Sequence, residues 1–297
     1  ANGAVDAEHQ GINNPDEKFR MAYSYDGVHW EKLNNNYPVV YPTKGDTKRV
    51  RDPFIMRNKD GSFSVLATQG WDTPYIYVWQ SENLTEFTNE RLLRASQSGV
   101  AGLTGSRAWA PEGSYDPITD QYYLYWADPS ASGENGPGPI YYNTSKDLES
   151  LSTPGLYFDP GYNVIDSNIV KHDGVYYMAF KDERESGKAI KFAKSTSLAP
   201  GSFEIYTDEF VTDKYAEGPF VFKANGENKW FHYWDFFYAS GDRFGYSVTD
   251  DLGKECYYFP LFDDIENFIL ENCSDGDLLI TMGAGDVVKI GESLLGK

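Results

Sequence analysis

Short aromatic and apolar segments, separated by polar turns, recur along this chain. Each copy reads as an aromatic strand, a turn, a second strand, and then a Ser or Thr followed by an acidic or polar turn. Five copies begin at Phe19, Phe63, Tyr122, Tyr176 and Trp230. Their period of roughly 50 to 60 residues suits one four-stranded blade of a β-propeller. The pattern therefore predicts an all-β fold, a five-bladed β-propeller over residues 1–261.

A short segment with its own motif precedes each of the last four copies. These segments are Arg51–Ile55, Trp109–Glu112, Ile165–Ile169 and Ala216–Phe220. Each leads through a polar turn into the aromatic strand, which is a hairpin signal, so the segment is predicted to be the first strand of its blade. The first strand of a propeller blade lines the central axis. We therefore expect four acidic side chains to converge there: Asp52, Glu112, Asp166 and Glu217.

The pattern changes after Leu261. A helix is expected over Asp264–Asn272, a strand over Asp277–Met282, and a second helix over Val287–Leu295. Residues 262–297 are thus predicted to be a short α/β tail of uncertain role, outside the propeller.

The first repeat, Phe19–Leu33, has no acidic strand of its own before it. The fifth blade could therefore close by the N-terminal residues, by the strand at Asp277–Met282, or incompletely.

Composition and charge narrow the classes of partner. The chain has 297 residues, 40% of them hydrophobic, and a net charge of −19. Nucleic acids and anionic membranes bind cationic surfaces, so neither is an expected partner. No apolar run approaches the roughly 18 residues of a membrane span. The two cysteines, Cys256 and Cys273, slightly favour a reducing, cytoplasmic location over secretion, and oligomeric state is left open.

Aromatic residues make up 16% of the chain. Most of them are expected to fill strands and sheet interfaces, as in any β-rich fold. They also stack on the apolar faces of sugar rings, so composition is compatible with a carbohydrate site without requiring one.

Four carboxylates converging on one axis require an explanation, because like charges repel and are costly to desolvate. They could be solvated groups in a water-filled or metal-containing channel. Alternatively, burial and repulsion could separate their pKa values into those of an acid and a base, which cleavage of a glycosidic bond requires.

The ordered motifs RDP, WAPE, IDS and EGP resemble those of glycoside hydrolase family 43, from about Tyr23 to Tyr258. Members of that family hydrolyse arabinofuranosides and β-xylosides. The resemblance implies that Asp52 is the general base, that Glu217 is the general acid, and that Asp166 tunes the pKa of the acid and orients it.

The same resemblance suggests residues that bind the sugar. Trp109 is expected to stack on it, with Trp71 as a second stacking candidate. Glu112 is expected to give support by a hydrogen bond, although a purely structural role is equally compatible with the sequence. Arg243 could contact a carboxylate or a sugar hydroxyl, or lie on the solvated surface. No cofactor is expected to be required. Members of the family often hold a structural calcium ion at the propeller centre with the help of a histidine. No histidine of this chain could be matched to that site, so the sequence allows a calcium ion there but does not predict one.

The C-terminal stretch from Asp275 to Leu295 resembles the end of UDP-N-acetylmuramate–alanine ligase. No ATP-binding or substrate-binding motif of that enzyme occurs elsewhere, so no ligase activity is expected.

The resemblance to family 43 implies an inverting exo-glycoside hydrolase. Its expected substrates are plant hemicellulose fragments of the arabinoxylan type, from which it would release terminal α-L-arabinofuranose, β-D-xylose or both. The alternative is a non-catalytic propeller that binds carbohydrate. A retaining enzyme of the fructan-cleaving group is disfavoured, because its NDPNG motif is absent.

Overall fold

The structure is a computed structural model that describes residues 17–129, 138–207, 209–237, 244–250 and residue 270. The chain divides into two units, Ala1–Lys254 and Glu255–Lys297. The predicted tail, 262–297, lies outside the described residues apart from Leu270. The described residues include no helix with the length and apolar character of a membrane crossing.

The described chain contains seventeen β-strands. The first two, β1 (Ala22–Tyr23) and β2 (Glu31–Lys32), form an antiparallel ribbon that a short 3₁₀ helix, Leu33–Asn36, follows. Four antiparallel sheets come next, and we call them blades 1 to 4. Blade 1 contains β3 (Arg51–Arg57), β4 (Phe63–Thr68), β5 (Tyr75–Ser81) and β6 (Thr88–Arg94). Blade 2 contains β7 (Trp109–Asp116), β8 (Gln121–Ala127), β9 (Ile140–Ser145) and β10 (Gly155–Phe158). Blade 3 contains β11 (Val164–His172), β12 (Val175–Asp182), β13 (Ala189–Ser195) and β14 (Glu204–Ile205). Blade 4 contains β15 (Ala216–Lys223), β16 (Trp230–Phe236) and β17 (Phe244–Thr249).

The second strand of each blade is the most deeply buried. Strands β4, β8 and β12 are buried along nearly their whole length. Neighbouring blades cover both faces of β8 and β12, whereas β4 is covered by blade 2 on one face and by the cluster around Phe19 on the other. This is why these strands read as continuous aromatic and apolar runs in place of an alternating pattern. Trp126, Trp230 and Trp234 are buried, as expected of aromatic residues that fill strands and sheet interfaces.

The blades follow one another around an axis lined by their first strands. Strand β3 contacts β7, β7 contacts β11, and β11 contacts β15. Separate apolar clusters fill the spaces between blades 1 and 2, blades 2 and 3, and blades 3 and 4. The predicted all-β propeller is therefore confirmed.

The prediction of five blades is wrong for the described part of the chain, which contains four. The ribbon β1–β2 stands where a fifth blade was expected. On one side Phe19 packs into the apolar cluster of blade 1. On the other side the Trp30 ring packs edge-on against Tyr233 of blade 4, and its Nε1 donates a hydrogen bond to the Tyr233 hydroxyl at 3.2 Å. The ribbon does not widen into a sheet because its strands are two residues long and the polar segment after them turns at Asn34 and Asn35.

Candidate active site

A β-bulge interrupts the first strand of every blade. The pairing register shifts after Arg51, Trp109, Ile165 and Glu217 in β3, β7, β11 and β15 respectively. The next residue in each strand has a left-handed backbone: Asp52 (φ 48°), Ala110 (φ 44°), Asp166 (φ 53°) and Gly218 (φ 57°). A bulge bends its strand and redirects side chains, and bulges are common beside active sites.

The bulges correct the expected equivalence of the four acids. Asp52 and Asp166 occupy the same bulge position in blades 1 and 3. Glu217 lies one residue before that position in blade 4, and Glu112 lies two residues after it in blade 2. The motifs align as sequence repeats, but the acids reach the axis from three different places on the strand.

A cavity of about 550 Å³ opens at this end of the first strands. The four predicted acids line it, and so does a fifth carboxyl group, that of Asp235. Segments of the ribbon and of blades 1 and 4 complete its wall, including Phe19–Ala22, Phe54 and Phe220. The four acids therefore converge on one cavity, as expected. Its volume lies within the range of roughly 300 to 1,000 Å³ that is typical of small-ligand sites.

Asp52 borders the cavity at the bulge of β3. Its side chain is accessible from the cavity, but protein surrounds it elsewhere, and this burial raises the pKa of Asp52. The Arg51 charge, the Thr68 hydroxyl and the Ala110 N–H favour the ionised form and oppose the rise in pKa, whereas Glu217 adds to it. Arg51 is fixed in turn, because its Nη1 lies 2.8 Å from Glu17 Oε1.

Asp166 is the acid most strongly affected by the others. Burial, followed by repulsion from Glu217, raises the pKa of Asp166 to about 7, and Asp52 contributes in the same direction. Lys181 and the Gly218 N–H, which donates to Asp166 Oδ2 at 3.1 Å, favour its ionised form. Asp166 can therefore gain or lose a proton near neutral pH.

Glu217 is held by a lysine that the sequence did not point to. Lys181 Nζ lies 2.7 Å from Glu217 Oε2 and 2.5 Å from Glu183 Oε1. Lys181 is at the end of β12, opposite Ile165 in the register of blade 3. Its only sequence signal is a lysine near the end of an otherwise apolar buried strand.

Asp235 was also missed. It pairs directly with Glu217 across β15 and β16, and burial, followed by repulsion from Glu217, raises the pKa of Asp235 to about 6. Its Oδ1 is buried without a hydrogen-bond partner among the described residues. The register of the hairpin, which places Asp235 beside an acid already identified, could have indicated it.

Glu112 lies deeper along the axis. Asn168 Nδ2 donates to Glu112 Oε2 at 2.8 Å, while Asn168 Oδ1 accepts from the Val221 N–H at 2.8 Å. Burial raises the pKa of Glu112 well above its ordinary value. This hydrogen-bonded bridge joins blades 2, 3 and 4, and the role of Glu112 in binding a sugar stays a prediction.

The two predicted stacking tryptophans lie beside the cavity and contact each other. Trp109 Nε1 donates to the Trp71 carbonyl at 2.6 Å, and their ring centroids are 5.3 Å apart. The Arg51 guanidinium covers one face of Trp71 at 3.8 Å. Neither ring belongs to the described cavity lining, so sugar stacking stays a prediction. Arg243 lies outside the described residues.

A second cavity, of about 360 Å³, lies at the opposite ends of β3, β7 and β11. Its described lining includes Arg57 and Lys171 but no carboxyl side chain, so it lacks an acid and base pair.

No group of three or more His, Cys, Asp or Glu side chains in the described chain is arranged to hold a metal ion. The optional calcium ion stays a prediction.

Comparison with known proteins identifies one family over most of the chain. A family model described as "Probable glycosyl hydrolase domain" matches residues 8–267. The chain is 24% identical over 200 residues to an α-L-arabinofuranosidase of Bifidobacterium longum subsp. longum, a match that covers 56% of this chain and 18% of that protein. A solved structure of an endo-1,4-β-xylanase from Bacteroides thetaiotaomicron shares the fold, with a TM-score of 0.56 at 15% identity over 77% of this chain and 79% of that one.

A shorter match concerns a different enzyme. The chain is 55% identical over 60 residues to the UDP-N-acetylmuramate–L-alanine ligase of Lachnospira eligens, which covers 18% of this chain and 13% of the ligase. The chain thus spans less than a fifth of the length of either curated relative.

Proposed function

Because the chain belongs to the family described as a "Probable glycosyl hydrolase domain", we propose that it is an inverting exo-glycoside hydrolase. Its proposed substrates are fragments of plant hemicellulose of the arabinoxylan type, from which it releases terminal α-L-arabinofuranose, β-D-xylose or both. The names of two similar proteins, the arabinofuranosidase of Bifidobacterium and the xylanase of Bacteroides, support a substrate built from these two pentoses.

One observation carries the proposal: Asp52, Asp166 and Glu217, from three different blades, line a single cavity. Burial and mutual repulsion give them different electrostatic environments. Burial raises the pKa of both Asp52 and Asp166, that of Asp166 to about 7, and Asp52 also has a cation and two hydrogen-bond donors beside it. Two carboxyl groups in one cavity, one to accept a proton and one to donate a proton, are what hydrolysis of a glycosidic bond requires.

In the proposed mechanism the sugar lies between Asp52 and Glu217. Asp52 accepts a proton from a water molecule as that water attacks the anomeric carbon. Glu217 donates a proton to the leaving oxygen, so the glycosidic bond breaks while the bond to water forms. Each turnover leaves Asp52 protonated and Glu217 ionised, and the proton must return between them through solvent. Asp166, whose N–H donor is Gly218, is the neighbouring group that adjusts the charge around Glu217.

The shape of the site favours removal of a terminal sugar. The segment Phe19–Ala22, which leads into the ribbon, forms part of the cavity wall. A pocket closed on that side accepts the end of a chain more readily than its middle. The bulge positions of blades 2 and 4 carry Ala110 and Gly218, whose small size leaves room for a sugar ring between the acids.

The test is hydrolysis of 4-nitrophenyl α-L-arabinofuranoside, 4-nitrophenyl β-D-xyloside and arabinoxylan oligosaccharides by the purified chain. The wild type is expected to release single pentoses, and Asp52→Asn and Glu217→Gln are expected to lose this activity. Asp120→Asn, at an exposed turn outside the described cavity lining, controls for the loss of a carboxylate elsewhere in the protein. Sugar binding without turnover above that of the two variants would support a non-catalytic propeller and contradict the proposal.

A further inference from the structure

Lys181 is a buried cation among the carboxyl groups of the cavity. We propose that it is a positioning residue for Glu217: anchored by Glu183, its ammonium group holds the Glu217 carboxyl group at the cavity wall through one oxygen and sets the charge of the surrounding acids. This proposal rests on the function proposed above and adds a residue to which the sequence motifs assign no role.

The geometry leaves Lys181 little freedom. Its side chain is 3% exposed, and its Nζ contacts Glu217 at 2.7 Å and Glu183 at 2.5 Å. The Phe237 ring covers a third side, with its centroid 4.0 Å from Nζ. A lysine bound on three sides cannot follow a moving partner, so it fixes the position of the Glu217 carboxylate.

Glu183 has the properties of an anchor. It lies directly after β12, and its N–H donates to the Asn163 carbonyl at 3.0 Å, which ties this residue to the start of blade 3. Its carboxylate does not belong to the described lining of the cavity. The ion pair with Glu183 therefore holds the Lys181 ammonium group in a fixed position beside Glu217.

The charge balance around Lys181 is strongly negative. Four carboxyl groups act on it or share its surroundings, from four elements: Glu183 after β12, Asp166 on β11, Glu217 on β15 and Asp235 on β16. Burial opposes the charge on Lys181, but Glu183, Glu217 and Asp166 outweigh that effect and raise the pKa of Lys181. In return Lys181 lowers the pKa values of Asp166 and Asp235, which burial and repulsion from Glu217 and Asp52 raise.

The consequence is a defined pH response. An opposite charge within roughly 4 to 6 Å lowers a carboxyl pKa by about one to three units. Removal of the Lys181 charge should therefore raise the pKa values of Asp166 and Asp235, on which Lys181 acts. The limbs of the pH profile of kcat/KM, which report the charge of this cluster, should then move to higher pH.

The experiment compares Lys181→Met, Lys181→Arg and the wild type, with Lys191→Met as the matched control. Lys191 is a buried lysine on the next strand, β13, that lies over Phe210 and outside the cavity lining. We expect Lys181→Met to lower kcat at least about tenfold with little change in KM, and to move both limbs up by about one pH unit. Lys181→Arg should restore the position of the limbs, and Lys191→Met should not move them. Unmoved limbs in Lys181→Met, or equal movement in Lys191→Met, would overturn the proposal.

Two further measurements keep the outcome decisive. If Lys181→Met does not fold, as judged by circular dichroism, Glu183→Gln removes the anchor and leaves the cation. It should lower kcat without raising the limbs, and wild-type kinetics in Glu183→Gln would refute the anchoring.

If the wild type hydrolyses none of the test glycosides, the proposed function fails while the charge effect can still be measured. Carbon-13 NMR of the side-chain carboxyl groups, with Asp166 assigned by its loss in Asp166→Asn, should show the Asp166 titration about one unit higher in Lys181→Met. An unchanged titration would overturn the proposal independently of catalysis.

Discussion

Replacement of Asp166 by Asn should make the protein more stable at neutral pH while it removes a group proposed for catalysis. Asn has nearly the same shape as Asp and needs no proton to be neutral. The raised pKa of Asp166, about 7, shows that the folded protein favours the protonated form of this side chain. The unfolded chain has no such preference, so the two states bind different numbers of protons.

The sign and size follow from that difference. A carboxyl pKa raised in the folded state contributes stability that is complete below the unfolded value of about 3.9 and is lost as pH rises through about 7. At pH 8 the full shift corresponds to about 4 kcal/mol at 1.36 kcal/mol per unit. Because Asp166 is partly open to the cavity, solvent screening reduces this figure, and we expect a gain of about 2 kcal/mol in Asp166→Asn. Near pH 4 the gain should vanish.

The assay is urea unfolding followed by tryptophan fluorescence, for wild type and Asp166→Asn, at pH values from 4 to 8. The control is Asp120→Asn at an exposed turn, where hydrogen bonds from Tyr115 and Lys59 lower the pKa of Asp120. That substitution should have the opposite sign, with any loss of stability appearing above pH 4. A difference between Asp166→Asn and wild type that does not change with pH would refute the reasoning, because the stability difference would then not come from proton binding.

Three further predictions concern the proposed base, the proposed acid and the closure of the propeller. Asp52→Asn should lower kcat by about 10²- to 10⁴-fold, the usual contribution of a general base, and isothermal titration with arabinose or xylose should show an affinity within a few-fold of wild type. Loss of sugar binding in step with activity would contradict the role of Asp52 as base. Glu217→Gln should slow hydrolysis of xylobiose much more than hydrolysis of 4-nitrophenyl β-D-xyloside, because the nitrophenolate leaving group needs little protonation. Equal losses of activity on both substrates would argue against Glu217 as the acid. Phe19→Ala should lower the unfolding free energy by about 3–5 kcal/mol, because Phe19 is 3% exposed in the cluster that joins the ribbon to blade 1. A loss below about 1 kcal/mol in urea unfolding would show that this contact does not hold the ribbon in place.

The repeat made the architecture predictable. Hydrophobic runs such as those of β4, β8 and β12, with turns at fixed offsets, were enough to assign the strands of blades 1 to 3, because these blades repeat the same burial pattern. The first-strand motifs were enough to place four acids on one axis. These features depend on local sequence and on the geometry of a single sheet.

The remaining features depend on register and on long-range contacts. Asp52 lies at the bulge position of its strand, whereas Glu217 lies one residue before that position. This difference becomes visible only when each first strand is paired with its neighbour. Lys181 meets Glu217 across two blades, at a separation of 36 residues, and no local pattern encodes that meeting. The ribbon was counted as a blade because its sequence resembles a blade strand, whereas its strands are in fact two residues long.

Proton NMR of the first sugar released is the most direct test of the central claim, that the carboxyl groups of this cavity catalyse inverting hydrolysis. With 4-nitrophenyl β-D-xyloside as substrate, the wild type should release α-xylose first, followed by slow mutarotation, and Asp52→Asn should release none above background. Initial formation of β-xylose, or equal release by Asp52→Asn, would contradict the account.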